Sequence, residues 1–192
     1  MATSEGGLNK NPTGIFDGIL SGKYDLPFLD GLSVDGFLSL DKSYNFTKAF
    51  SEPYALYSYD ASVDTYNKIV TGGSAGKATM TEQQVNTTLV TKNIKLNFVR
   101  QFAKHHVDAF VAYEQSQNQS ETFGASRLDY PTILTPELSE GGSAATDKDN
   151  SGSSYEFTRQ SYIGRVAYNY SEKYLAEVQM RVDGLSIFPK GN

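Results

Sequence analysis

The feature that most constrains this chain is a period-two alternation that survives a turn. In the stretch "YIGRVAYNYSEKYLAEVQMRVDG", from Tyr162 to Gly184, the large apolar residues fall on even positions on both sides of a short polar break. These are Tyr162, Val166, Tyr168 and Tyr170 before it, and Tyr174, Ala176, Val178, Met180 and Val182 after it. Arg165, Asn169, Glu177, Gln179, Arg181 and Asp183 all fall on odd positions. Successive strand side chains point to opposite faces, so the pattern predicts an antiparallel hairpin. If Tyr170 lies opposite Tyr174, then Tyr168 pairs with Ala176, Val166 with Val178, Gly164 with Met180 and Tyr162 with Val182. The other face then sets Arg165 opposite Gln179 and Ser161 opposite Asp183. A one-residue slip would send every apolar side chain to the charged face, which fixes the register.

Two architectures use such a hairpin. In a soluble sandwich the apolar face meets a second sheet and the polar face meets water. In an outer-membrane barrel the apolar face meets lipid and the polar face lines the lumen. The hairpin alone serves either.

Other segments repeat the pattern. "GLSVDGFLSLDKSYNF" places Leu32, Val34, Leu38, Leu40, Tyr44 and Phe46 on one face and Ser33, Asp35, Ser39, Asp41, Ser43 and Asn45 on the other, with Phe37 breaking the rule. "NIKLNF" sets Ile94, Leu96 and Phe98 together, and "VDAFVAY" sets Val107, Ala109, Val111 and Tyr113 together. Short turns are expected at Pro27 to Gly31, Ala103 to His106 and Ser171 to Lys173. The stretches from about Ser51 to Glu82 and from about Thr122 to Ser154 show no steady period and read as long loops. Strand pairs joined by short turns, alternating with loops of about thirty residues, are unusual in compact soluble domains and ordinary in outer-membrane barrels. Up-and-down connectivity predicts both long segments at one end of the sheet and the three turns at the other. The lipid reading therefore leads, with Tyr168, Tyr170 and Tyr174 placed as an interfacial aromatic girdle.

Composition excludes several function classes. The formal charge is -5 and no basic stripe is present, which argues against nucleic acid as a partner. There are no cysteines, so disulfides and thiolate metal sites are out. No apolar run is long enough for a transmembrane helix, a restriction that does not touch strands. "MATSEGGLNKNP" has neither the charged nor the apolar region of a signal peptide.

Motifs that carry chemistry are incomplete. Asp147, Asp149 and Ser151 precede Gly152 as in the first half of a calcium loop, yet Thr158 stands where the bidentate Glu belongs. They form a weak calcium candidate whose plain reading is a solvated loop. "TGGSAGKAT" has Thr71 in place of the first glycine of a phosphate loop and Ala78 in place of its Ser or Thr. His105 and His106 are adjacent, so their rings diverge, and they are expected as exposed turn residues. Glu177 and Asp183 share a strand face but read as paired or solvated charges, not as an acid pair. No catalytic residue and no cofactor site is expected, and the chain reads as a non-enzyme.

"RQSYIGRVAYNYSEKYLAEVQMRVDGLSIF" resembles the barrel signature of SusC/RagA-type TonB-linked outer-membrane transporters, a strand of the form SY-GR-Y-Y, a turn with KY, and an R-DGSS-F strand. "YDLPFLDGLSV", "KAFSEPYALY" and "VDAFVAYEQSQ" resemble the middle of the same barrel, so the likeness runs from about Asn11 onward. Leu185 departs from the usual Ser. The resemblance implies an all-β fold of antiparallel up-and-down strands, residues 1–192 being a slice of a large transmembrane β-barrel. About six strands are expected, fewer than the roughly eight of the smallest membrane barrel, with no plug, no signal peptide and no TonB-contacting segment. It implies import of large nutrients, oligosaccharides or peptides, driven through the TonB complex, with a SusD-like surface lipoprotein as partner and a Gram-negative, Bacteroidetes-like outer membrane as location. On that reading Arg165, Asn169, Glu177, Gln179, Arg181 and Asp183 face the lumen. The alternatives are a soluble β-sandwich that binds carbohydrate through exposed tyrosines and a secreted glycosidase domain, the latter lacking an acid pair.

Overall fold

A computed structural model of the chain describes residues 7–74 and 76–187. The start of the N-terminal segment read for an export address, residues 1–6, and Phe188 lie outside these. The described residues are almost entirely strand: β1 (Gly7–Lys10), β2 (Thr13–Asp25), β3 (Leu32–Ser51), β4 (Tyr54–Asp60), β5 (Thr65–Thr71), β6 (Thr79–Phe102), β7 (His105–Leu128), β8 (Lys148–Tyr170) and β9 (Tyr174–Leu185). One sheet runs in the order β1-β3-β6-β7-β8-β9, with β2 also on β3, while β4 and β5 form a separate two-stranded sheet. The large sheet is antiparallel, up-and-down and open, with β9 at one edge. β1 and β2 share the other edge, interrupted at Asn11 and Pro12; Pro12 has no N–H to give, and its carbonyl accepts from the Phe46 N–H at 3.1 Å. Counting them as one edge, the sheet is six strands wide, the width expected from the sequence.

The predicted register of the last hairpin is the observed one. Tyr170 pairs with Tyr174, Tyr168 with Ala176, Val166 with Val178, Gly164 with Met180, Tyr162 with Val182, Arg165 with Gln179 and Ser161 with Asp183. Ser171 and Glu172 close it with φ of 54° and 59°, left-handed values that are uncommon outside glycine. The Asn169 side chain steadies them by accepting the Glu172 N–H at 2.9 Å. Between β2 and β3 the turn depends on Gly31, at φ 89°. A Cβ there would sit 2.1 Å from the Val99 carbonyl oxygen, so no other residue fits.

The chain divides into two units. One comprises Met1–Gly14, Ser43–Asn86 and Glu121–Ser154; the other comprises Ile15–Lys42, Thr87–Ser120 and Tyr155–Asn192. The first contains the β4–β5 hairpin and the connection 129–147, and the second contains the three short turns, a segregation that up-and-down connectivity requires.

In the first unit a small core forms around Phe50, Ala78 and Met80, with Leu8, Tyr130 and Leu138 packed on it. Tyr130 meets Phe50 edge to face, ring centroids 5.1 Å apart. The connection 129–147 is clasped to its strands. Arg127 donates to the carbonyls of Ser139 at 2.9 Å and Gly141 at 3.4 Å. Lys77 bridges Asp129 at 3.2 Å and Asp147 at 3.3 Å, one at each end of the connection. Lys48 bridges Glu137 at 2.6 Å and Glu82 at 3.2 Å. The second unit has no buried hydrophobic residue among those described. Most of its large apolar side chains line one face, and those of β8 and β9 on that face are exposed.

Three sequence expectations need correction. The segment from Ser51 to Glu82 is not a loop: it holds the β4–β5 hairpin and the start of β6. The segment from Thr122 to Ser154 is strand at both ends, leaving only 129–147 outside the ladder, with short 3-10 turns at Leu138–Glu140 and Ala145–Asp147. Here Ser, Thr, Gln and Asn occupy both faces of the strands, so the ladder continues while the alternation that reveals it is gone. The turn expected at Ala103 to His106 is confined to Ala103 and Lys104, and both histidines belong to β7. With these changes loop length no longer separates barrel from sandwich, and the exposure of the apolar face must do so.

Met80 is fully buried. Met80→Ala is expected to remove about 2–5 kcal/mol of local stability, read as faster hydrogen exchange across 129–147 with the β8–β9 hairpin unchanged. Equal acceleration in both regions would contradict the division into units.

Candidate functional site

The face of the sheet opposite the apolar one carries the chemistry of the second unit. Odd positions of β8 and β9 share it, as the register requires. Arg165 is its hub: its Nε and Nη2 donate to the two carboxylate oxygens of Glu177 at 2.9 and 3.0 Å, and its Nη1 donates to Asp108 at 3.3 Å. A planar guanidinium fits this bidentate geometry as an ammonium would not. Three strands, β7, β8 and β9, are thereby tied across the face. On β9, Arg181 Nε reaches both oxygens of Asp183 at 2.9 Å, and the fully buried Ser161 hydroxyl of β8 donates to the same carboxylate. Arg181 also donates to Ser161 Oγ at 3.1 Å. Further along, Arg159 meets Glu114 at 3.5 Å, and Lys95 meets Asp35 at 3.4 Å, the latter also hydrogen-bonded to Asn97.

The sequence-selected residues Arg165, Asn169, Glu177, Gln179, Arg181 and Asp183 therefore lie on one surface, and four of them pair with a neighbour there. Asn169 caps the turn instead. The reading from sequence missed Asp108, Glu114 and Arg159, which complete the ion pairs. The signal was available: only two residues join β6 to β7, so even positions on β7 join odd positions on β6, as Asn93 meets Glu114 and Thr87 meets Ser120. Leu175, exposed beside the turn, is an apolar exception on this face.

The calcium candidates do not converge. Asp147 is buried and paired with Lys77, Asp149 accepts the Asn150 N–H at 2.9 Å, and Ser151 lies on β8. Among the described residues no three His, Asp or Glu side chains gather as a metal site. Outside the long strands, the hydrogen bonds that the Lys77 ammonium donates, first to Asp129 and then to Asp147, hold it above its ordinary pKa. Its contribution to holding the connection is thus complete below that ordinary value and is lost as pH climbs through the raised one. Within "TGGSAGKAT", Ser74 and Lys77 exchange both backbone hydrogen bonds at 2.9 Å. Those two N–H groups are not free to cradle a phosphate.

His105 is no idle turn residue. Its Nδ1 lies 2.6 Å from the Tyr168 hydroxyl, and its ring packs 4.9 Å from that of Tyr170. Tyr170 in turn stacks with Tyr174 at 6.4 Å. The expected aromatic cluster beside the short turn is present, with a histidine inside it.

No family model and no curated protein matches the sequence. Solved structures do match the fold. A structure of the RagAB peptide transporter superposes with a TM-score of 0.73 at 15% identity, covering 95% of this chain and 19% of that one. The RagAB peptide importer in the 'open-open' state gives 0.73 at 15% identity, with 96% and 19% covered. Its 'closed-closed' state gives 0.71 at 15%, with 94% and 18% covered. This chain thus spans about a fifth of the length of the structures it is similar to.

If the Arg165–Glu177 pair ties β8 to β9, Arg165→Glu alone should lower the unfolding midpoint in detergent, and Glu177→Arg added to it should recover part of the loss. Failure of the swap to recover any of it would mean that the pair contributes no orientation-independent attraction.

Proposed function

We propose that the chain is a slice of the wall of a SusC/RagA-type, TonB-linked outer-membrane transporter. On this reading the even face of the β8–β9 hairpin meets lipid, and Arg165, Asn169, Glu177, Gln179, Arg181 and Asp183 face a hydrated lumen. The observation that carries it is an inversion of the usual arrangement: apolar side chains are exposed while charges are paired. Val166, Val178, Met180 and Val182 are 52%, 72%, 67% and 56% exposed, an open apolar patch of a kind soluble monomers rarely tolerate. Strands β3, β6, β7 and β8, of 20, 24, 24 and 23 residues, also exceed the ~9–11 needed to cross a bilayer. No helix among the described residues is long and apolar enough to cross a membrane.

The transporter of which this wall is a part imports large nutrients, peptides or oligosaccharides, with TonB-transmitted energy and a SusD-like surface lipoprotein, in the outer membrane of a Gram-negative, Bacteroidetes-like cell. The fold likeness to a peptide importer supports a translocating role, which makes and breaks no bond, so the chain is not an enzyme and uses no cofactor. The competing soluble sandwich needs a second sheet over the apolar face of the second unit. None covers it among the described residues.

In detergent-free buffer the chain should sediment as aggregate and become monodisperse in detergent. Val166→Lys with Val178→Lys should improve solubility while weakening association with lipid vesicles, each Lys costing roughly 2–4 kcal/mol near the bilayer midplane. A sharp wild-type monomer without detergent would overturn the membrane-wall reading in favour of the sandwich.

A further inference from the structure

The apolar face of the second unit is not smooth. Around Gly164 it is indented by a notch of about 350 Å³, floored by Gly164 and Ala109 and walled by Leu96, Val111, Val166, Val178 and Met180. The notch exists because two small residues stand side by side where the neighbouring outward positions carry large side chains. A Cβ built on Gly164 meets nothing closer than the Phe110 carbonyl oxygen at 4.0 Å. Backbone crowding therefore does not demand glycine there, and the missing side chain leaves room for something else.

The chemistry of the notch restricts the occupant. Its walls are hydrocarbon and thioether, with no hydrogen-bonding side chain except Arg165 among the lining residues, and Arg165, at its margin, directs its guanidinium to Asp108 and Glu177 on the other face. A polar ligand would lose its hydration without replacement. An added strand would find no free edge, because Gly164 lies in the interior of the sheet and is paired with Met180. An aliphatic chain meets neither objection. Depth fits as well: Gly164 is six residues along β8 from Tyr170. At ~3.4 Å per residue and a tilt of about 45° that is roughly 14 Å below the aromatic cluster, about half of a ~30 Å hydrocarbon core. The aromatic cluster of His105, Tyr168, Tyr170 and Tyr174 marks the level of the headgroups.

We infer that this notch seats the terminal segment of a phospholipid acyl chain from the leaflet at the short-turn end. The inference rests on the membrane-wall reading above. It assigns the Gly164–Ala109 pair a ligand-binding role: these two residues hold one lipid against the wall instead of letting it exchange with the bulk.

The test fills the notch. The chain, Gly164→Leu and, separately, Ala109→Leu are reconstituted into phosphatidylethanolamine–phosphatidylglycerol vesicles, checked by flotation, extracted into mild detergent and weighed by native mass spectrometry. All three should float with the vesicles. Wild type should retain one phospholipid, and each filled variant should retain it roughly tenfold less, the effect of losing contacts with about two methylenes. Flotation of all three with equal retention overturns the seat and leaves the wall reading intact. Failure of wild type to float overturns both. Wild type that floats and is weighed as a lipid-free dimer, monomeric once Gly164 is filled, assigns the notch to a second copy and overturns the lipid.

Discussion

Everything in the second unit follows from a hydrogen-bonded ladder whose two faces demand different solvents. The backbone of β8 and β9 satisfies itself in register from Arg159–Leu185 to Tyr170–Tyr174, so the ladder asks nothing of its surroundings. Its side chains ask for two incompatible environments. Ion pairs cover one face, and the other presents mostly carbon, interrupted by the hydroxyls of its tyrosines. Water against that carbon would be costly at about 25 cal/mol per Å², and the described residues supply no internal cover. On the proposed reading, lipid finishes the sheet.

The charged face is correspondingly self-contained. Arg165 is shared between Asp108 and Glu177, Arg181 is matched by Asp183, and Arg159 by Glu114. A surface so nearly balanced presents hydrogen-bonding groups without a strong field of either sign. On the proposed reading that suits a wall passed by hydrated cargo, because a fixed unpaired charge would retain counter-charged molecules. The first unit solves a different problem. There the connection 129–147 rests on Phe50 and Met80 and is pinned by Lys48 and Lys77, so an irregular segment is given a defined seat.

Much of this was legible in the sequence wherever a strand has two unlike faces. From Tyr162 to Val182 the alternation predicted the register residue by residue, because only one pairing keeps both apolar sets together. Legibility ended where both faces are polar. Thr79 to Gln84 and Lys148 to Ser154 are strand without an apolar stripe, held by neighbours that the local sequence does not name. The β4–β5 hairpin escaped for the opposite reason: Tyr54, Leu56, Tyr57, Tyr59, Tyr66, Ile69 and Val70 are exposed on both of its faces. The charged face was half visible. Odd residues on β8 and β9 were identified, but their partners on β7 sit on even positions. Finding them required carrying parity through the turn at Ala103. The notch at Gly164 was hidden in plain view, since glycine in a strand reads first as a weak point or a close approach and here makes neither.

The measurement that bears most directly on the central claim is a nitroxide scan of positions 160–185, one cysteine at a time. The chain has no native cysteine, so each label is unique. With the chain in lipid vesicles, collision with oxygen, which concentrates in the hydrocarbon, should peak at even positions. Collision with a water-soluble nickel chelate should peak at odd ones, the two profiles alternating in antiphase with a period of two residues through the turn. Chelate access at Val166 and Val178 equal to that at Arg165 and Glu177 would contradict the assignment of the apolar face to lipid.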